Sequence, residues 1–342
     1  MDADPNARFL RSHTLRNAAL ATATIAGASA AIVAASAHRT ELAHPAAGRF
    51  IDVSGTRVHY LEEGSGPALV LIHGNAMSSE DFIASDLVRP LAEHHRVIVF
   101  DRPGFGYTER PRDTAWTPLR QADLIHAALE KLAVADPIVV GHSLGSLVTV
   151  ALAIAYPQYA RALVLLSGFY YPVMPLGLPL FAVPALPVVN DVLRFTLAPV
   201  LARIMKPALT RQMFAPAPVS SSFGRYPLSM ARRPSQIRAT MEDANFMNPA
   251  AKTLAGRYGE LTLPIEILAG DGDMVVNTWA QSERLAHALP NARFGTIEGA
   301  GHMIHYIAPE RVLAAIAAVE ERLQSATHRL LSSADLATAA LN

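Results

Sequence analysis

Residues 138–151 read IVVGHSLGSLVTVA. A short β-branched run, Ile138-Val139-Val140, reads as a strand buried on both faces. The stretch from Leu144 to Tyr156 reads as a helix stopped by Pro157. Between them lies Gly141-His142-Ser143-Leu144-Gly145. A strand that passes straight into a helix needs a sharp turn, and the apex residue is pressed toward strained backbone angles. Glycines two before and two after the apex remove the Cβ atoms that would collide there. Ser143 then projects at the carboxyl end of the sheet, beside a helix N-terminus whose dipole favours developing negative charge. This is the pattern of a nucleophile elbow. A plain turn is the other reading, and a lone serine is a poor nucleophile. Nucleophilic chemistry at Ser143 therefore needs a base, an acid and oxyanion donors.

The elbow sits in a β-α alternation. Arg49–Val53 and Arg57–Glu62 read as strands around a Ser54-Gly55 turn. Further strands are expected at Ala68–Ile72, Arg96–Phe100, Ala162–Leu166, Ile265–Ala269 and Arg293–Ile297. Helical spacing covers Ala122–Leu132, Trp279–Leu289 and Arg311–Leu323. The expected fold class is α/β, a mostly parallel sheet with helices on both faces.

Residues 169–250 break the alternation. Twelve of the chain's 24 prolines fall there. The run FYYPVMPLGLPLFAVPALPVV is too proline-rich for a continuous helix or a central strand. The region reads as several short helices forming a lid over the sheet's carboxyl edge, with an ordinary insertion packed on itself as the alternative. The expected divisions are residues 1–48, a core in two parts (49–168 and 251–325) around the insertion, and a tail at 326–342.

Composition excludes several functions. The 342 residues carry 29 basic and 29 acidic side chains, so no basic field exists to hold nucleic acid. With no cysteine, thiol catalysis, disulfides and Cys-based metal sites drop out. The first residues differ from the rest. Arg8, Arg11 and Arg16 precede an uncharged run, residues 17–37, long enough to span a bilayer but built mostly of alanine. It reads as a single-pass signal anchor holding the remainder outside the cytoplasm. A cleaved signal peptide ending near Ala35-Ser36-Ala37, releasing a secreted or periplasmic protein, and an Ala-rich helix of a cytoplasmic one are the alternatives. His38 to Gly48 reads as a linker.

Among 13 histidines, His302 in Gly299-Ala300-Gly301-His302-Met303 stands out as the base. It follows a strand, and its glycine-rich flanks let a loop carry the ring inward. His305 is expected to start or support the next helix. The acid is sought after the strand Glu266-Ile267-Leu268-Ala269. Asp273 lies further out toward His302 and is preferred over Asp271, which suits a turn cap. The oxyanion donors are expected to be the N–H of Leu144 and the N–H of Asn75 in His73-Gly74-Asn75-Ala76-Met77, with Ala76 as the alternative. The run Asp101-Arg102-Pro103-Gly104-Phe105-Gly106 reads as a structural turn, although Arg102 has the reach to meet a substrate carboxylate.

Taken together, His73-Gly74, the Asp101–Gly106 run, the elbow, Gly270-x-x-Asp273 and Gly301-His302 resemble the α/β-hydrolase superfamily over about residues 49–325. The resemblance implies an eight-stranded sheet, a helical cap after the sixth strand, and a Ser143-His302-Asp273 triad working without metal or cofactor. It points to the branch of small esterases, cofactor-independent perhydrolases and carbon–carbon bond hydrolases. Haloalkane dehalogenases and epoxide hydrolases are similar in outline but carry an aspartate where this chain has Ser143. The expected activity is hydrolysis of a carboxylic ester with a small to medium hydrophobic group. A lactonase, thioesterase, C–C hydrolase or acyltransferase would use the same triad. A slow-turnover ligand-binding receptor is the alternative of another class.

Overall fold

The computed structural model describes residues 5–173 and 192–339. Its centre is an eight-stranded sheet in the order β1-β2-β4-β3-β5-β6-β7-β8. The strands are β1 Arg49–Val53, β2 Thr56–Glu63, β3 Ala68–Ile72, β4 Arg96–Phe100, β5 Ile138–His142, β6 Ala162–Leu166, β7 Ile265–Gly270 and β8 Ala292–Ile297. β2 runs antiparallel to β1 and β4, and the remaining pairs are parallel. The helices, in chain order, are α1 Pro5–Ala43, α2 Glu80–Ala84, α3 Val88–Ala92, α4 Pro118–Lys131, α5 Leu144–Ala155, α6 Ala198–Phe214, α7 Pro234–Ala255, α8 Arg284–Ala288, α9 Ile304–Ile307 and α10 Pro309–Ala339.

The all-apolar central strands are covered on both faces. Alternate side chains of β3 go opposite ways: Val70 and Ile72 join Leu147, Ala151 and Ile125 in one core. Leu69 and Leu71 join Phe82, Leu91, Val312 and Ile316 in the other. This is why β3, β5 and β6 read as continuous apolar runs rather than alternating ones. The central strands leave their carboxyl ends along one edge, where the turns after β3, β5, β7 and β8 gather.

Between β6 and β7 the chain makes the helical insertion. It is not only short helices, for α6 has 17 residues and α7 has 22. Each tolerates one internal proline, Pro207 and Pro249, and each opens on a proline in its first turn, where the missing N–H is no loss. Residues 174–191, which include most of the proline-rich apolar run, lie outside the described residues.

Two terminal expectations are corrected. Helix α1 continues to Ala43, so the linker shrinks to residues 44–48. Nothing between His38 and Ala43 breaks a helix, and Pro45 marks its limit. Likewise α10 runs unbroken to Ala339, because no Gly or Pro interrupts it. Residues 326–339 are therefore part of that helix. Among the described residues, no helix is long and apolar enough to cross a membrane. The single-pass anchor expected over residues 17–37 is thus unsupported, since alanine supplies length without enough hydrophobicity.

The carboxyl end of α1 instead docks on the insertion. Glu41 pairs with Arg233 at 2.8 Å. The Tyr107 hydroxyl donates to the His44 carbonyl, and Arg233 also donates to the Gly106 carbonyl. Arg233 thereby ties together α1, the turn after β4 and the start of α7.

Candidate active site

Ser143 sits at φ 55° and ψ −123° between β5 and α5. Its N–H donates to the Leu166 carbonyl at 2.9 Å, which locks the turn to β6. The two flanking glycines are sterically required. A Cβ on Gly145 would lie 2.1 Å from the Ile72 carbonyl oxygen, and one on Gly141 would lie 2.5 Å from the Thr149 hydroxyl. The turn therefore exists because β3 and α5 approach the elbow more closely than any other residue permits. Leu144 is the first residue of α5, where a helical N–H has no partner within its own helix.

The structure brings two of the expected partners together. His302 Nδ1 lies 2.7 Å from Asp273 Oδ2, with both side chains almost wholly buried. The other carboxylate oxygen of Asp273 accepts the N–H groups of Val275 and Val276 at 2.8 and 2.9 Å. These bonds fix the orientation of the carboxylate. The acid accepts at Nδ1, so the ring donates there and keeps its lone pair on Nε2. Asp271 is exposed and accepts the Gly299 N–H at 2.8 Å, a turn-capping bond within the same loop cluster. The loop bearing His302 is pinned by the insertion: the His302 N–H donates to the Met213 carbonyl at 2.8 Å.

The turn after β3 runs alongside the elbow. A Cβ on Gly74 would stand 3.0 Å from the Cβ of Ser143, so the close passage depends on glycine. The Asn75 amide is used at both ends: its oxygen accepts the Ala76 N–H at 2.9 Å and its nitrogen donates to the Thr240 carbonyl at 3.2 Å. The Ala76 N–H is thus occupied, which favours the backbone N–H of Asn75 as the donor.

Arg102 is corrected from its alternative role. Its side chain has no exposure and bonds Asp243 at 2.6 Å, Gln121 at 2.8 Å and the carbonyls of His73 and Gly74, each at 2.9 Å. It is a fully buried strut beneath the turn after β3. His73 completes the strut. It accepts the Arg102 N–H on Nε2 at 3.0 Å and donates from Nδ1 to the Gly74 carbonyl at 2.7 Å. Burial first, and then the Arg102 charge, hold the His73 pKa down to about 4.

That shift has a consequence for stability. Unfolded, His73 titrates near 6.5. Between about pH 6.5 and 4 the unfolded chain binds this proton and the folded chain does not. Stability is then expected to fall as pH falls through that window, by up to about 3 kcal/mol from this group. Urea titrations of the wild type and of His73→Gln at pH 7 and pH 4.5 check it. An equal pH loss in both proteins would contradict it.

Sequence reading missed a second buried group. His142, the residue before Ser143, places its ring with centroids 4.9 Å from His302 and 4.4 Å from His305. His305 lies in α9, as a helix-supporting residue should, yet it is fully buried against Asp81. The only signal was three polar residues beside apolar ones, which a linear pattern cannot assemble.

Above the Asn75 turn is a cavity of about 300 Å³. Met77 belongs to that turn, and Leu201, Met205, Met213, Ile237 and Met241 come from the insertion. Its lining is overwhelmingly apolar.

A family model describing the alpha/beta hydrolase fold matches residues 67–309. Haloalkane dehalogenase 2 of Mycobacterium tuberculosis (strain ATCC 25618 / H37Rv) is 27% identical over 280 residues, covering 80% of this chain and 94% of its own. A 2-hydroxymuconate semialdehyde hydrolase of Pseudomonas sp. (strain CF600) is 36% identical over 132 residues, 38% of this chain and 47% of its own. Among solved structures, the enol-lactonase from Burkholderia xenovorans LB400 superimposes with a TM-score of 0.63 at 20% identity, covering 80% of this chain and 100% of its own. With the sheet order, the strand-to-helix turn at Ser143 and a family match across most of its length, the chain belongs to the alpha/beta hydrolase fold family.

Proposed function

We propose that the protein is a serine hydrolase of carboxylic esters with a hydrophobic acyl or alcohol group. The observation that carries this reading is the buried 2.7 Å Asp273–His302 pair on the same sheet edge as a serine held in the left-handed region. In this reading His302 Nε2 takes the proton of Ser143 as its Oγ attacks the ester carbonyl. The carbonyl oxygen, now negative, lies against the N–H groups of Asn75 and Leu144. One such donor contributes about 3 kcal/mol to the transition state. The tetrahedral intermediate collapses, the C–O bond breaks, and His302 gives its proton to the leaving alcohol. Water then attacks the acyl-Ser143 ester by the same route in reverse. Asp273 holds the imidazole and stabilises its charged form throughout.

Ser143 weighs against halide displacement despite the dehalogenase relative, because the dehalogenases carry an aspartate at this position. The apolar cavity supports the substrate class. Methionine and leucine walls gain from burying alkyl surface at about 25 cal/mol per Å² and offer a sugar or phosphate few partners.

A chain-length series of p-nitrophenyl esters tests the proposal. Turnover is expected to rise from acetate to a medium acyl chain, and Leu201→Trp, which narrows the cavity, is expected to move the optimum to shorter chains. A folded protein that turned over no ester in the series would sink the reading and shift weight to cleavage of C–C bonds, transfer to another acceptor, or ligand binding without turnover. Best activity on acetylated sugars would contradict the hydrophobic specificity alone.

A further inference from the structure

Behind the Ser143–His302 edge lies a buried cluster that the hydrolytic mechanism does not use. Asp81 in α2, His142 at the end of β5 and His305 in α9 are each at most 1% exposed. His305 Nε2 donates to Asp81 Oδ2 at 3.1 Å. The His305 ring rests against that of Phe82 on one side and that of His142 on the other. Tyr306 donates its hydroxyl to the Asp81 carbonyl at 2.8 Å, fixing α2 to α9. His142 then reaches forward, with its Nε2 3.1 Å from the backbone carbonyl of His302.

A carbonyl only accepts, so Nε2 of His142 carries the proton of this bond. That fixes the tautomer and leaves the lone pair on Nδ1, 4.0 Å from Asp81 Oδ2 and without a hydrogen bond among the described residues. Burial, then the neighbouring His305 and His302, hold His142 well below the ordinary histidine pKa. It is therefore a neutral donor across the working pH range.

We propose that His142 is a positioning residue for the base: backed by the Asp81–His305 pair, its Nε2–H clamps the His302 carbonyl and sets the distance between the loop bearing the base and the strand bearing Ser143. The inference rests on the triad reading above and deepens it. Asp273 orients the His302 ring and Met213 holds its N–H, but Asp273 follows β7 and Met213 belongs to the insertion. The His142 bond ties His302 directly to the residue next to the nucleophile. A bond of ordinary strength suffices, because a misplacement of about 1 Å at a reacting group can lower turnover about 10²-fold.

Two imidazoles and a carboxylate also form a donor set for zinc. A metal would take Nδ1 of both histidines and Oδ1 of Asp81, which have no hydrogen bond among the described residues. The clamp is preferred because the Nε2–H of His142 is bonded to the residue bearing the base.

The test compares His142→Gln with His142→Asn in the full chain, using p-nitrophenyl butyrate. The glutamine amide nitrogen reaches about as far as Nε2 and restores the bond; the asparagine nitrogen stops short. Glutamine is expected to keep kcat within about 5-fold of wild type. Asparagine is expected to lose about 10- to 100-fold in kcat with KM within 2-fold. Equal kcat for the two variants, or a loss confined to KM or to thermal stability, would overturn the clamp. Asp81→Asn, nearly isosteric, provides a second arm should either variant fail to fold. It removes the charge that orients His305 and is expected to lower kcat several-fold at unchanged KM. An unchanged kcat would overturn the backing role. Stoichiometric zinc in the purified wild type, or a cobalt spectrum abolished by Asp81→Asn, would replace the clamp with a metal centre. Ser143→Ala runs in parallel: if it stays active, the triad reading fails, whereas an inactive Ser143→Ala beside a fully active asparagine variant defeats only the clamp.

Discussion

Ser143→Ala is expected to lower kcat for ester hydrolysis by about 10⁶-fold while the protein stays folded. Removing the Oγ removes the acyl-enzyme, and what remains is water attack assisted by the oxyanion donors and binding. Alanine keeps the Cβ that already fits at φ 55°, so the elbow itself should not change. The thermal midpoint is expected to match wild type. The check is kcat on the best ester of the chain-length series, with a mass-spectrometric search for an acylated Ser143 peptide in the wild type. Residual activity above about one per cent would remove Ser143 from the chemistry.

The second large effect concerns stability. Asp243→Ala is expected to destabilise the fold by about 3–5 kcal/mol. The Asp243 side chain has no exposure and lies between two arginines, 2.6 Å from Arg102 and 2.9 Å from Arg110, with Gln121 donating at 3.1 Å. Truncating it leaves the fully buried Arg102 guanidinium without its carboxylate partner, facing Arg110, whose remaining carboxylate is Glu242 at 2.7 Å. Burial of an unpaired charge costs far more than the ion pair itself contributes. Arg257→Ala is the contrasting control. Its pair with Glu260 lies on the surface, where water and salt screen the attraction, and little change is expected. Urea midpoints at pH 7 measure both. A shift for Asp243→Ala no larger than that for Arg257→Ala would refute the account.

The same ion pair shows where sequence reading stops. β3, β4 and β6 were legible to the residue, because an apolar β-branched run between turn signals is a local property. The elbow was legible for the same reason, since two glycines about a serine mark a steric need within five residues. The carboxylate choice was readable as geometry of reach, and the structure places Asp273, not Asp271, against His302. The structural reading of the Asp101–Gly106 run agrees with the buried Arg102, but its partner was not legible, because Asp243 stands 141 positions away in α7. Nothing in Asp101–Gly106 reveals that the insertion will lay a carboxylate over it. The His142 bond to His302 spans 160 positions and was invisible for the same reason. At the N-terminus the anchor expectation finds no support, because no helix among the described residues is long and apolar enough to cross a membrane. An uncharged stretch of 21 residues satisfied length, while its alanines lacked the hydrophobicity that lipid requires.

Arg233 gathers Glu41, the Gly106 carbonyl and the first turn of α7 into one knot. The protease-resistant unit of this chain is therefore expected to begin inside its first helix rather than at its first strand. A nick near residue 37 would spare Glu41 and His44, and the knot with them. A nick at residue 48 would strip both from their partners and leave the Arg233 guanidinium, 5% exposed, short of its carboxylate at the foot of the helix that carries Asp243. Trimming the two sites should thus yield products of unequal durability, though they differ by only about a dozen residues.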